Sequence, residues 1–121
     1  MAKFISGRIK SIRYAVSGAY KLITTEHSIM AQVGFGVLAT VLGFVFDITK
    51  TEWLFQIFAI GLVISIEGLN TAVEKIADFI HPDFNSKIGF IKDIAAGAVF
   101  FAACTAIAIA VVIYIPYFLN C

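Results

Sequence analysis

What most limits the fold of this chain is its uncharged runs, the longest of which, Ile94 to Cys121, contains no Asp, Glu, Lys or Arg. A second run, HSIMAQVGFGVLATVLGFVF, sets 20 uncharged residues between Glu26 and Asp47. Crossing the ~30 Å hydrocarbon core of a bilayer takes ~20 mainly apolar helical residues. Both runs meet that length unaided. A third run, Trp53 to Ile66, has 14 residues and reaches spanning length only if the more polar stretch after it, up to Ile80, continues the same helix. Composition agrees: 60% of the 121 residues are hydrophobic and 14% are charged, against ~45–50% and ~25% in soluble domains. A chain this short is mostly surface and could not hide so much apolar area in water. Cys104 and Cys121 provide no disulfide framework.

The expected fold is therefore an all-α membrane protein, a single domain over 1–121. A surface helix covers about 1–25, and spans cover about 27–47, 52–80 and 92–116. Pro82 and Asp83 should stop the second span, and Pro116 should end or kink the third. With the amino terminus in the cytoplasm, eight of the nine basic residues lie inside and only Lys50 lies in the outer loop, as the positive-inside rule requires. The carboxyl terminus is then outside, with Trp53, Tyr114 and Tyr117 at the outer interface. In the first segment Ile5, Ile9, Ile12, Val16, Tyr20 and Ile23 recur at helical spacing, with Lys3, Lys10 and Lys21 opposite. That is the pattern of a helix lying on the inner leaflet, drawn by anionic lipid.

The second span carries the chemistry. Glu67, Asn70, Thr71, Glu74 and Asp78 lie within about 100° of arc on one helix face. Counting from Trp53 at the outer interface, Glu67 lies ~21 Å deep, inside the hydrocarbon near its inner side, with Glu74 at ~31 Å and Asp78 at ~37 Å. A carboxylate at such depth costs a few kcal/mol and faces protein or water. Three acids on one face also repel, so interhelical glue alone would not select them. Glu26, at the start of the first span, and Lys92-Asp93, at the start of the third, should join them in one layer, within a subunit or between subunits. Carboxylates with a lysine suit a magnesium-nucleotide site: oxygen ligands for the cation and a cation for the phosphates. There is no glycine-rich phosphate cradle after a strand, His27 and His81 lack metal-ligand spacing, and nothing points to a nucleic-acid partner. A small proton-coupled transporter using the intramembrane glutamate is the competing reading, though it gives Lys92-Asp93 no task.

The strings E-G-L-N-T-A-V-E-K-I-A-D (67–78) and I-K-D-I-A-A-G-A-V (91–99) resemble the prokaryotic integral-membrane diacylglycerol kinase family, which includes the undecaprenol kinases of Gram-positive bacteria. The resemblance runs from S-I-R-Y-A-V-S-G (11–18) through T-E-H (25–27) and T-E-W (51–53) to I-Y-I-P (113–116). T-E-W and A-A-G-A-V are closer to the undecaprenol-kinase branch. The resemblance implies a homotrimer in the bacterial cytoplasmic membrane, with active sites between subunits at the inner leaflet, where ATP phosphorylates a lipid alcohol. It implies that Glu67 is the catalytic base and that Glu26 and Glu74 hold Mg2+ on the ATP phosphates. Tyr14, Asn70, Asp83, Lys92 and Asp93 would join Glu74 around the nucleotide, with Asp78 in support. Gly18 would lie near the lipid with Glu67. Gln32, Gly7 and Gly68 depart from the enteric branch, which has an acid, an arginine and a branched residue at those positions.

Overall fold

A computed structural model describes residues 1–120; Cys121 lies outside the described residues. Four helices follow one another: α1 (Ala2–Thr25), α2 (His27–Val45), α3 (Lys50–Ile80) and α4 (Ser86–Leu119). The last three are long and apolar enough to cross a membrane. The all-helical, three-span expectation therefore holds, with shifted boundaries.

Local chemistry sets those boundaries. At Glu26 the backbone is extended (φ −108°, ψ 114°), so this one residue both ends α1 and begins α2. The α2–α3 turn passes through Asp47 at φ 51°, in a left-handed region that Asp tolerates better than most side chains. Thr49 and Glu52 then form a reciprocal capping box, each side chain bonding the other's backbone N–H, which starts α3 at Lys50 rather than 52. α3 stops at Ile80, ahead of Pro82, because proline disfavours helical backbone in the residue before it. The Asn85 side chain accepts from the Lys87 N–H and starts α4 at Ser86. Lys92 and Asp93 thus lie inside α4, whereas the sequence reading put them at its start.

Pro116 does not end α4, which continues to Leu119. The reason lies in its neighbours. The Tyr114 hydroxyl donates to the Gln56 side chain, which itself donates to the Ala39 carbonyl, and the Tyr117 hydroxyl donates to Glu52. Both flanks of the proline are tied to α2 and α3, so the helix holds through the missing backbone bond.

α3 is central, packing most extensively on α4 and less on α2. At the end bearing the α2–α3 turn, Ile48, Ile113 and Tyr114 form a buried cluster ringed by Leu42, Phe46, Trp53, Ile109 and Tyr117. Close approach of α2 to α3 depends on glycine: a Cβ on Gly36 would lie 3.0 Å from Ile60, and one on Gly43 would lie 2.5 Å from the Trp53 ring. α1 buries none of its residues, and Ile5, Ile9, Ile12, Val16, Tyr20 and Ile23 stay exposed as one uncovered stripe.

Gly43 gives a direct test, since Trp53 is held against Phe44 (ring centroids 4.9 Å apart) and has little room to turn. Gly43→Ala is expected to destabilise the protein by ~1–3 kcal/mol through overpacking, measured as a fall in the unfolding midpoint of the detergent-solubilised protein. An unchanged midpoint would show that the ring swings aside.

Candidate active site

α3 divides its polar stripe by depth. Glu67, Asn70 and Thr71 are buried, while Glu74 and Asp78, nearer the helix end, are exposed. Thr71 is satisfied within the helix, its hydroxyl donating to the Glu67 carbonyl at 3.0 Å. Asn70 donates through its side-chain amide to the Glu74 carboxylate at 3.1 Å, but its own carbonyl oxygen is buried without a partner. Glu67 is 8% exposed, and its carboxylate has no hydrogen-bond or ion-pair partner among the described residues. The orphaned Asn70 oxygen carries a desolvation cost, and the unpaired Glu67 carboxylate lies one turn away on the same face. Together they mark a place where a donor from outside this chain would be accommodated.

Two ion pairs surround this pair of groups. Lys75 reaches the Glu26 carboxylate at 3.2 Å, tying the α1–α2 break to α3. Lys92 of α4 bonds the Asp78 carboxylate. The Lys75 side chain is 70% exposed, and pairs this open to solvent contribute only ~0–1 kcal/mol, so they rearrange readily. Lys92 also borders a cavity of about 250 Å3, whose wall includes His81, Asp83, Phe84 and Asn85. The His81 imidazole bonds the Asp83 carbonyl and shapes this connection.

The site residues expected from sequence thus gather in part. Glu26 joins the α3 stripe through Lys75, and Asp78 joins Lys92, which in turn borders the cavity lined by Asp83. Tyr14 and Asp93 are exposed, with no side-chain partner among the described residues, and Gly18 lies half-buried with open space around it. No three His, Cys, Asp or Glu side chains among the described residues form a metal cluster. Magnesium does not need one, because it takes one or two carboxylates and completes its shell with water and phosphate oxygens. Glu74, exposed and oriented by Asn70, and the part-buried Glu26 have the chemistry for that role.

Two contacts were not read from sequence. The partnership of Lys75 with Glu26 depends on the chain break that brings residue 26 alongside α3. The other contact is at Gly68, where a Cβ would lie 3.2 Å from a Leu22 terminal methyl. A glycine directly after Glu67 therefore lets α1 settle against α3 at this level.

A profile of the prokaryotic diacylglycerol kinases matches residues 13–114, which include every site residue named above. The chain belongs to the prokaryotic diacylglycerol kinase family. It is 30% identical over 107 residues to the undecaprenol kinase of Bacillus subtilis, covering 88% of this chain and 87% of that one. It is 29% identical over 96 residues to the diacylglycerol kinase of Haemophilus influenzae, covering 79% and 81%. Three membrane-length helices and membership of this kinase family make it a multi-pass membrane lipid kinase.

The contact at Gly68 can be tested apart from catalysis. Gly68→Val would press on Leu22 and lift α1 from α3. The expected result is faster tryptic cleavage after Lys21 in limited proteolysis, and an unchanged rate would show that α1 does not rely on this contact.

Proposed function

We propose that this protein transfers the γ-phosphate of ATP to the hydroxyl of a membrane lipid alcohol, diacylglycerol or undecaprenol, at the cytoplasmic face of the bacterial inner membrane. The observation that carries this reading is Glu67: buried, unpaired, and on the same α3 face as Asn70 and Glu74. Glu67 takes the proton from the lipid hydroxyl as that oxygen bonds to the γ-phosphorus. The bond from phosphorus to the bridging oxygen breaks, and ADP leaves with the electron pair. Glu26 and Glu74 hold magnesium, which when bound neutralises charge developing on the phosphates. Asn70 orients Glu74. Lys92 exchanges Asp78 for phosphate oxygens, and Asp83, Asp93 and Tyr14 complete the nucleotide site. Gly18 leaves room for the lipid.

The N-terminus is cytoplasmic and α1 lies on the inner leaflet through its uncovered apolar stripe, its lysines meeting anionic headgroups. The working form is a homotrimer with sites shared between subunits. Support for sharing comes from Tyr14 and Asp93, which no side-chain hydrogen bond or ion pair among the described residues ties to the stripe, and from the orphaned Asn70 acceptor. The T-E-W and A-A-G-A-V segments favour undecaprenol as the acceptor.

Labelled phosphate should pass from ATP to a lipid alcohol in mixed micelles, and chelation of magnesium should abolish transfer. Side by side, undecaprenol should give the higher kcat/KM. Glu67→Gln is expected to lower turnover by ~10²–10⁴-fold while the oligomer and Mg-ATP binding persist, and normal turnover in that variant would overturn the base assignment. Glu74→Ala should raise the magnesium concentration needed for half-maximal rate, or remove Mg-ATP binding altogether.

A further inference from the structure

α2, α3 and α4 do not close on one another along their whole length. Between them is a cavity of about 430 Å3, where small residues such as Gly36, Ala39, Ala59 and Ala106 leave space among larger ones that include Phe35 and Ile60. Its polar end is already satisfied: Gln56 donates to the Ala39 carbonyl and accepts from the Tyr114 hydroxyl. With those bonds spent, Gln32 is the one other polar side chain on the wall of an otherwise apolar slot within the membrane.

The slot leads toward the candidate site. Its α3 wall includes Gln56, Ala59 and Val63, and Glu67 follows Val63 by one turn on the same face. From Glu67 to Gln56 is ~16 Å along the helix. With Trp53 at the far interface, Val63 stands ~15 Å deep, at the middle of the ~30 Å core. The cavity therefore occupies the half of the bilayer remote from Glu67.

We propose that this cavity seats the distal hydrocarbon of the acceptor lipid, and that it favours an alcohol whose chain crosses the bilayer midplane, such as a long polyprenyl alcohol, over one confined to a single leaflet. The proposal rests on the kinase reading of Glu67. A chain that ends within the inner leaflet reaches the cavity mouth near Val63 and stops, whereas a longer chain from the same hydroxyl enters it. Moving a tail from lipid to protein brings no hydrophobic gain. The preference comes from close contact with the cavity wall and from tethering to a hydroxyl that is already bound.

The test fills the slot and compares acceptors of different length in nanodiscs. Ala106→Phe, with Ala103→Leu as a milder variant, projects bulk into existing space. For a long polyprenyl alcohol, KM is expected to rise on the order of fivefold with kcat retained. For a short prenyl alcohol that ends within one leaflet, kcat/KM should not change. Equal effects on both alcohols would overturn the proposal, as would no effect on the long one. It would also fail if the filled variants lost their oligomeric state, since the space would then belong to packing between subunits. If the unmodified protein phosphorylated neither alcohol, the kinase reading would fall first and this inference with it.

Discussion

A carboxylate in hydrocarbon costs a few kcal/mol, and the arrangement of the other helices answers to where Glu67 puts that cost. An isolated span carrying Glu67, Asn70 and Thr71 would expose all three to lipid. α3 must therefore be the central helix, with α4 along one side and α2 along another, and these three polar residues are among its most buried. Glycines at 36 and 43 let α2 come close enough to cover the stripe's helix. Side chains larger than hydrogen at those positions would hold α2 off and leave polar groups facing the bilayer.

The two ends of the bundle are built differently. At the α2–α3 turn, an aromatic cluster, a capping box and the hydrogen bonds of Tyr114, Tyr117 and Gln56 tie the spans together. At the other end, α1 and α4 meet the stripe mainly through two ion pairs open to solvent. Such pairs contribute little and exchange partners easily. Rigidity is thus concentrated away from the carboxylates, and the end that has to admit a nucleotide and a lipid is the one free to rearrange.

Glu26 depends on the same arrangement. It is the single extended residue between two helices, so its side chain leaves the helical register of both and reaches Lys75 on α3. Had α1 run unbroken into α2, the acid would have been carried on a helix face with a fixed direction. Gly68 has a matching role on α3, allowing Leu22 of α1 to come in against the helix at the residue after Glu67.

Much of this was legible in the residues. Uncharged length named the spans, helical spacing placed Glu67, Asn70, Thr71, Glu74 and Asp78 on one face, and the paired motifs pointed to the family that the profile match then established. These features are periodic or local, and the chain carries them whatever its neighbours do. Pro116 does not end α4 because Tyr114 and Tyr117 on either side of it bind other helices, and the start of α4 shifted because the Asn85 cap lies outside the apolar run. Lys75 with Glu26, Gln56 with Tyr114 and Leu22 over Gly68 join residues far apart in the chain. The sequence alone determined which helices form and which face of α3 is polar, because periodicity and transfer energy act within a helix. Only the tertiary structure decided which acids are buried, which are paired, and where the helices leave space, because those depend on how closely separate helices approach.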